Sequence, residues 1–466
     1  MTKLFKKVLI FSLFLLACFM LVGCGEDTTD YDHTIVFYST QGDALQKVTQ
    51  NAIDAFEAKY PGWKIKHTQV GGYDDVRDKI VSDLSGGLQP DLAYCYADHV
   101  AQYMQTNRVY DMAEFINMGS TTIKVGADYK ESKEVVIGYS EAEIADFIPG
   151  YYREGFAPNF ANYASYGFNE NSILTLPFVK STELLYYNAD ALEAMGLQVA
   201  TTWDELWTQA AQIRQKYPTA IPLGYDSEAN WFITMCEQNG WGYTQAQDPH
   251  FLFNNDNTKA WLAQLAEYYD KGYFTTQSDY GSYTSGLFVK GVDDGGAIYC
   301  IGSSGGASHQ ATDKFKWGVA RIPSSTNVPE GVNGSAVISQ GPSLVMFKND
   351  RCSNPDEKKL MTFLFVKELL DPTFQAAFSI QAGYNPCRQS TYNVPAYEEH
   401  LADKSSITSV ACQIAKTMTN DFYTSPAFIG SSEARTQVGN ALVYAATGQK
   451  APEKALADAY KNAGGK

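Results

Sequence analysis

The chain has 466 residues and a formal net charge of −16, with 45% hydrophobic and 19% charged residues. This balance is typical of a well-packed globular protein and excludes a disordered chain, and the length suggests two or three domains. The negative charge argues against a nucleic-acid partner, because phosphate binding depends on clustered lysine and arginine.

The first 23 residues have the pattern of an export signal. Lys3, Lys6 and Lys7 precede an almost unbroken apolar run, Val8–Met20. That run is too short for a membrane span, which needs about 20 apolar residues. The next four residues, Leu21–Cys24, resemble the lipobox of bacterial lipoproteins. The pattern therefore predicts a signal peptide over residues 1–23 and an acylated Cys24 that anchors the mature chain to a membrane.

Residues 24–32 are small, polar and acidic, which is typical of a flexible tether. Removal of residues 1–23 takes away three lysines and no acidic residue, so the formal charge becomes −19. We expect the mature protein to lie at the outer face of the cell membrane, or on the periplasmic side in a cell with two membranes.

Strands and helices are predicted to alternate over the first hundred mature residues. Thr34–Tyr38 is a β-branched and aromatic run, and the apolar residues of 45–60 then fall on one helical face. A second strand (63–70), a second helix (76–84) and a third strand (91–96) follow. This alternation predicts a parallel sheet covered on both faces, with ligands beyond the carboxyl ends of its strands.

The next segments differ in how clearly they are patterned. Residues 117–172 are rich in aromatic and acidic side chains and show no clear period, so we predict loop and short helix there. Residues 174–188 are predicted to form a strand, a turn and a strand. Thr202 is placed to cap a helix over Trp203–Tyr217.

Cysteine and histidine spacing gives no indication of a metal site. No Cys-x-x-Cys spacing occurs, and the six histidines do not cluster with the cysteines. We therefore predict no metal and no cofactor. The mature-chain cysteines other than Cys24 are expected to be mostly free, buried thiols: Cys95, Cys236, Cys300, Cys352, Cys387 and Cys412.

One segment imitates an enzyme motif. Gly302–Gly306 fits Gly-x-Ser-x-Gly and follows the apolar run Ala297–Ile301, as the nucleophile of a serine hydrolase would. Only His309 and His400 lie downstream, and no acid and histidine stand in an obvious order after the serine. The alternatives are a structural turn and a ligand-binding loop. We assign no catalytic residue and expect no enzyme, with an exported serine hydrolase kept as an alternative.

Several short motifs occur in an order that identifies a family by resemblance. They are the lipobox, Ile35–Ser39, Gln89–Leu92, Leu176–Asn188, Thr202–Leu206, Gly296–Tyr299 and Gly383–Pro386. Together they resemble the family 1 extracellular solute-binding proteins of ABC importers, which include maltodextrin- and glycerol-3-phosphate-binding proteins. The resemblance covers nearly the whole mature chain, but residues 117–172 depart from the family pattern.

The resemblance implies an α/β fold with two lobes, mostly parallel sheets and a hinge of several crossing strands. Motif order places the crossings near Phe178, Ala297 and Pro342. The first lobe is then expected to contain residues 33–178 and 298–342, and the second lobe residues 179–297 and 343–466. The implied partners are a small solute and a pair of ABC permease subunits, and we expect a monomer.

Sites for sugars combine flat aromatic rings with short polar groups, and the loops expected at the cleft have this composition. Trp231 is expected to stack on the ligand, although core packing is an equally good explanation for it. The expected ligand-binding residues are Ser39, Thr40, Gln41, Tyr96, Asp98, Lys180, Ser181, Glu183, Trp231, Ser303, Ser304, Gly341, Tyr384, Arg388 and Arg435.

The charge of the solute is left open between two classes. The entry to the terminal helix at Arg435, with Ser303, Ser304, Gly341 and Tyr384, resembles the glycerol-3-phosphate-binding branch, in which an arginine here meets the phosphate. A salt bridge to a carboxylate explains Arg435 equally well. The aromatic residues favour a neutral saccharide, with glycerol-3-phosphate or a phosphodiester as the alternative.

Substitution of Cys24 tests the predicted lipid anchor. Cys24→Ser removes the sulfur that would be acylated, so the protein is expected to leave the membrane fraction or to remain unprocessed. Cell fractionation and N-terminal sequencing measure both outcomes. A Cys24→Ser protein that stays in the membrane fraction with a mature N terminus would show that the anchor is wrong.

Overall fold

The computed structural model describes residues 29–40 and 42–465, so the predicted signal peptide, Cys24 and Gln41 lie outside the described residues. The strands are β1 (Thr34–Ser39), β2 (Lys64–Gln69), β3 (Leu92–Cys95), β4 (Ser120–Val125), β5 (Glu131–Val136), β6 (Leu176–Pro177), β7 (Val179–Lys180), β8 (Glu183–Asn188), β9 (Ile221–Tyr225), β10 (Phe274–Thr276), β11 (Ala297–Ser303), β12 (Trp317–Arg321), β13 (Val337–Ile338), β14 (Ser343–Met346), β15 (Asn385–Pro386) and β16 (Phe422–Tyr423).

The helices alternate with the strands up to residue 103, as expected from the sequence. They are α1 (Asp43–Lys59), α2 (Tyr73–Gly86), α3 (Ala97–Tyr103), α4 (Ala113–Ile116), α5 (Glu141–Ala145), α6 (Pro149–Arg153), α7 (Ala189–Glu193), α8 (Trp203–Lys216), α9 (Glu228–Asn239), α10 (Asp256–Asp270), α11 (Gln277–Tyr280), α12 (Ser285–Phe288), α13 (Pro355–Leu369), α14 (Pro372–Ala382), α15 (Pro395–Ala402), α16 (Ile407–Lys416), α17 (Ser431–Ala446) and α18 (Pro452–Asn462). A 3-10 helix, Ser304–Gln310, continues directly from β11.

Two five-stranded sheets organise the chain. The first sheet has the order β2-β1-β3-β14-β6, with β1 parallel to β2 and β3, and β14 antiparallel to β3 and β6. The second sheet has the order β10-β9-β11-β8-β12, with β9 parallel to β10 and β11, and β8 antiparallel to β11 and β12. The predicted α/β class with two lobes is confirmed, and each sheet mixes parallel and antiparallel pairs.

Strand pairing corrects the predicted division of the chain. Ala297–Ser303 and Trp317–Arg321 both pair within the second sheet, so residues 298–321 do not join the first lobe as expected. Ser343–Met346 instead pairs with β3 and β6 of the first sheet, and buried side chains of α13 such as Phe365 pack in the first core. Motif order locates a crossing in the sequence, but only the hydrogen-bonded partner decides which sheet the next strand enters.

The aromatic segment 117–172 contributes to the first core. It contains the antiparallel pair β4–β5 and several short helices, and Phe147, Tyr151 and Phe160 are at most 2% exposed. These rings are therefore part of the hydrophobic core of the first lobe. The six described cysteines are also free as expected, and five of them are buried.

The two sheets are connected at a junction that we define as residues 179–182, 337–341 and 422–424. Within it β13 pairs with β16, and Ser181 exchanges two backbone hydrogen bonds of 2.8 Å with Gln340. Next to it, β7 pairs with β15. Gly341 has φ +93°, and a Cβ there would lie 2.5 Å from the carbonyl oxygen of Val179, so only glycine fits.

One buried carboxylate contacts all three parts of the junction. Glu154 Oε2 accepts a hydrogen bond of 2.5 Å from Lys180 Nζ, and its Oε1 accepts from the hydroxyls of Ser339 at 2.7 Å and Thr424 at 3.0 Å. The side chains of Lys180 and Glu154 are 5% and 12% exposed. Because so little solvent reaches this ion pair, removing one partner leaves the charge of the other buried and uncompensated.

This ion pair gives a prediction for stability. Glu154→Leu is expected to lower the free energy of unfolding by about 3 to 5 kcal/mol, because Lys180 then keeps a buried charge without its partner. The double variant Glu154→Leu/Lys180→Met removes both charges and is expected to recover most of that loss. Chemical denaturation of the three proteins measures the difference.

The exposed pair Lys314–Asp294 serves as the control. Its side chains are 53% and 66% exposed, so Asp294→Asn is expected to change stability little. A Glu154→Leu protein as stable as this control, or a double variant less stable than Glu154→Leu, would contradict the proposed role of the pair.

Candidate functional site

A cleft of ≈ 650 Å³ lies where strands of both sheets end. Thr40 and Tyr96 follow β1 and β3 of the first sheet, and Asp226 and Ser303 stand at the carboxyl ends of β9 and β11 of the second. Because β8 runs antiparallel to β11, its first residue, Glu183, reaches the same edge. The cleft is lined by Thr40, Gly42, Leu45, Tyr73, Tyr94, Tyr96, Ser181, Glu183, Asp226, Ser227, Asn230, Gln277, Tyr283, Ser285, Ser303, Gly305, Gly306, His309, Gln310, Gln340, Gly341, Pro342, Phe378 and Tyr384.

Tyrosine rings form much of the apolar lining. The rings of Tyr73 and Tyr96 stack with centroids 4.3 Å apart and an interplanar angle of 25°. Tyr384 lies nearby, and Tyr283 is 61% exposed at the cleft. Burial is the largest cause that raises the pKa values of Tyr73, Tyr96 and Tyr384, so these phenols stay protonated and can donate hydrogen bonds.

A buried carboxyl group stands in the wall of the cleft. Glu183 is 1% exposed; its Oε2 accepts from the Tyr225 hydroxyl at 2.6 Å, and its Oε1 accepts from Asn230 Nδ2 at 2.9 Å. Burial raises its pKa to about 7, against the lowering effects of Tyr225, Asn230 and Arg435. Glu183 thus changes charge near neutral pH.

A second carboxyl group, Asp226, lies in the same wall. Its Oδ1 accepts hydrogen bonds from the backbone N–H of Thr284 at 2.5 Å and from the Thr284 hydroxyl at 2.7 Å. Burial is the largest effect on Asp226 and raises its pKa. The second sheet therefore contributes two carboxyl groups to the cleft wall, beside hydroxyl and amide side chains that can both donate and accept hydrogen bonds.

Two smaller cavities adjoin the cleft at Tyr96. One of about 60 Å³ is lined by Asp98, Lys180 and Arg435, among others, and shares Tyr96, Gln340 and Gly341 with the cleft. The other, of about 450 Å³, also has Asp98 and Arg435 in its lining. Three predicted residues, Asp98, Lys180 and Arg435, thus lie beside the cleft rather than in its wall.

The serine turn divides its two hydroxyl groups between cleft and core. Ser303 lines the cleft, and its Oγ accepts from the N–H of Gly305 at 3.2 Å. Ser304 is 0% exposed; its Oγ accepts from the N–H of Thr182 at 3.2 Å, and its own N–H donates to Thr182 O at 2.7 Å. The expectation that Ser304 contacts a ligand is wrong, because its side chain holds the junction.

Of the predicted residues, seven line the cleft: Thr40, Tyr96, Ser181, Glu183, Ser303, Gly341 and Tyr384. Ser39 does not, because it is buried and its Oγ is 2.7 Å from His67 Nε2. Arg388 is also turned away: it is 7% exposed, and its Nε donates to Asp146 Oδ2 at 2.7 Å. Both are corrections to the predicted site.

Trp231 is a core residue, so its expected role as a ligand platform is wrong. It is 0% exposed and stacks on Tyr225 with centroids 4.7 Å apart and an interplanar angle of 10°. Trp203 and Trp207 stack on it at about 6 Å. The preceding residue of α9, Asn230, points to the cleft instead, because neighbouring positions on a helix face different directions.

Several cleft residues were missed by the sequence analysis. Tyr73 begins α2 after Gly71 and Gly72, and Asp226 directly follows β9, a strand that was not predicted from the sequence. The rule that ligands lie beyond strand ends would have selected Asp226 once that strand was recognised. Tyr283 lies in a short connection between α11 and α12, and no periodic signal marks it.

Within the described ranges, no cluster of three or more His, Cys, Asp or Glu side chains could hold a metal ion. No helix in the same part of the chain has the length and apolar composition needed to cross a membrane.

Comparison with known proteins links this geometry to a family. A model of the family described as bacterial extracellular solute-binding protein matches residues 51–403. The sn-glycerol-3-phosphate-binding periplasmic protein UgpB of Salmonella typhimurium is 24% identical over 438 residues, covering 91% of this chain and 90% of that protein. The Escherichia coli K12 protein of the same name is 23% identical over 437 residues, with the same coverage.

Solved structures share the fold at low sequence identity. UgpB from Mycobacterium tuberculosis in complex with glycerophosphocholine has a TM-score of 0.70 at 17% identity, covering 92% of this chain and 97% of that one. The GacH receptor of Streptomyces glaucescens, solved unliganded and with acarbose, has a TM-score of 0.69 at 16% identity, covering 93% and 98%. These similarities establish the two-lobed fold.

The different environments of two aromatic side chains give a prediction. Trp231→Ala is expected to lower the free energy of unfolding by about 3 to 5 kcal/mol, because it empties a fully buried ring position. Tyr283→Ala, at a mostly exposed ring, is expected to stay within about 0.5 kcal/mol of the parent. Urea denaturation measures both; equal stability of the two variants would show that Trp231 is not part of the core.

Proposed function

Because this chain belongs to the bacterial extracellular solute-binding protein family, we propose that its cleft captures a neutral saccharide outside the cytoplasm for an ABC importer. The family assignment makes the protein a solute-binding receptor. The identity of the solute, the permease pair and the membrane anchor are parts of the proposal.

The observation that carries the saccharide assignment is the composition of the cleft wall. Glu183 and Asp226 offer acceptors for sugar hydroxyl groups, and Ser181 and Ser303 add hydroxyls of their own. The rings of Tyr73, Tyr96 and Tyr283 offer apolar faces that suit the CH faces of a sugar. A volume of ≈ 650 Å³ leaves room for more than one sugar ring.

Charge supports a neutral solute over an anion. The described residues that line the cleft include no lysine or arginine, and two of them are carboxyl groups. A phosphate placed next to Glu183 and Asp226 would be repelled by both when they are ionised.

A glycerophosphodiester or glycerol-3-phosphate is the second candidate, and one observation favours it. Lys180 and Arg435 border the cavity of about 60 Å³ that adjoins the cleft at Tyr96, together with the carboxyl groups of Asp98 and Glu154. This end of the site, unlike the cleft wall, therefore offers cations to an anion. The names of the relatives agree with this class, since UgpB proteins are described as binding glycerol-3-phosphate.

We propose that the receptor is a monomer tethered through Cys24, which lies outside the described residues, to the outer face of the cell membrane or to the periplasmic side. A serine hydrolase gains no support, because the Ser304 hydroxyl is buried and accepts a hydrogen bond from the Thr182 backbone.

Glu183→Gln separates the two solute classes. Hydrogen bonds to a charged group contribute about 1.5 to 3 kcal/mol, so maltotriose is expected to bind about 10- to 150-fold more weakly to Glu183→Gln than to the parent. Glycerol-3-phosphate and glycerophosphocholine are expected to bind as well as before or better, because a negative charge is removed. Isothermal titration with each compound measures the affinities.

Glu237→Gln is the matched control. Glu237 lies outside the cleft lining on α9, and burial also raises its pKa to about 7. Its substitution is expected to leave every affinity unchanged. Tight phosphate binding by the parent with no saccharide binding would overturn the saccharide assignment and support the second candidate.

A further inference from the structure

A chain of hydrogen bonds connects Arg435 to the cleft. Arg435 Nη2 donates to Asn230 Oδ1, and Asn230 Nδ2 donates to Glu183 Oε1 at 2.9 Å. Asn230 and Glu183 are each 1% exposed. Arg435 lies on α17 and Asn230 on α9, and both helices pack in the core of the second sheet.

The chemistry of these groups fixes the direction of the chain. A guanidinium group has only donors, so the amide group of Asn230 must turn its oxygen toward Arg435. The NH₂ of Asn230 then faces Glu183 and requires an acceptor there. On its other oxygen Glu183 accepts from Tyr225, so both donors that reach Glu183 favour its ionised form.

We propose that Arg435 is a positioning residue: it fixes the Asn230 amide so that Glu183 presents acceptor oxygens to the hydroxyl groups of a solute in the cleft. This inference rests on the proposed saccharide function. It also gives Arg435 a role that needs no contact with the ligand.

Burial and four neighbouring groups act on the pKa of Glu183. Tyr225 on β9 and Asn230 on α9 lower its pKa, Arg435 on α17 lowers it further, and Asp226 at the end of β9 raises it. Burial is the largest effect and acts upward. Loss of Arg435 therefore removes a positive charge that lowers the pKa of Glu183. It also allows the Asn230 amide to turn its oxygen toward a protonated Glu183.

A titration without ligand tests the inference. In protein labelled with ¹³C at the glutamate carboxyl groups, NMR follows the titration midpoint of Glu183, identified by its loss in Glu183→Gln. The midpoint in Arg435→Ala is expected to rise by about 1 pH unit or more, whereas the signal lost in Glu237→Gln stays in place. An unchanged Glu183 midpoint in Arg435→Ala overturns the inference.

Variants of Asn230 show whether Arg435 acts on Glu183 through the Asn230 amide or only through the electrostatic effect of its charge. Asn230→Leu breaks the chain and is also expected to raise the midpoint. If Arg435 acts through Asn230, adding Arg435→Ala to Asn230→Leu moves the midpoint much less than Arg435→Ala does alone. If Arg435→Ala shifts the Glu183 midpoint equally in the parent and in Asn230→Leu, Arg435 does not act through Asn230 and the inference is wrong. Arg435→Gln, which keeps more of the side chain, replaces Arg435→Ala if the alanine variant does not fold.

Binding measurements distinguish failure of the inference from failure of the proposed function. Affinity for maltotriose should fall as the pH drops through the Glu183 midpoint, and in Arg435→Ala this fall should occur at the higher midpoint. Arg108→Ala, on a surface ion pair with Asp350, is the control and should leave the profile unchanged.

If glycerol-3-phosphate binding is lost in Arg435→Ala at every pH while the Glu183 midpoint stays, Arg435 contacts the ligand and the inference is wrong. If the midpoint shifts but maltotriose never binds, the positioning of Glu183 stands and the saccharide function fails.

Discussion

The site depends on the fact that parallel strands of two separate sheets end at one cavity. The ends of β1 and β3 bring Thr40 and Tyr96 to the cleft from one side, and the ends of β9 and β11 bring Asp226 and Ser303 from the other. Strand ends expose backbone groups and short loops to solvent, so polar side chains can be placed there without disturbing the core. The antiparallel β8 adds Glu183 at its first residue, which a fully parallel sheet would not do.

Two buried charges then have different roles in one molecule. Glu154 is bonded to a lysine and two hydroxyls from the junction, so its charge is balanced by contacts between chain segments far apart in sequence. Glu183 accepts hydrogen bonds from two neutral donors, Tyr225 and Asn230, and Arg435 is connected to it through Asn230. Removing one partner of the first arrangement is expected to destabilise the fold, because the other charge stays buried. The second leaves a carboxyl group that changes charge near neutral pH and faces the cleft.

The aromatic residues show the same division. Trp231, Trp203 and Trp207 stack on one another inside the second core, and Phe147, Tyr151 and Phe160 pack in the core of the first lobe. Most rings at the cleft are tyrosines, which combine an apolar face with a hydroxyl group; Phe378 and His309 also line it. An abundance of aromatic residues in the composition therefore does not by itself locate a sugar site.

The local sequence pattern was sufficient to predict the first strands and helices and the family of the protein. The pattern of apolar residues predicted β1, α1, β2, α2 and β3 to within a few residues. All of these except β2 bury several residues, so their pattern is clear. The rule for strand ends selected Thr40 and Tyr96, and the resemblance to the family selected Glu183, Ser303, Gly341 and Tyr384. The family match over residues 51–403 confirms that resemblance. Tertiary structure alone decided that 298–321 joins the second sheet, that Trp231 and Ser304 are buried, and that Arg435 meets Asn230, 205 residues away in the chain. Sheet membership, the direction of a side chain and a distant partner are set by packing between segments, and local sequence does not encode which segments meet.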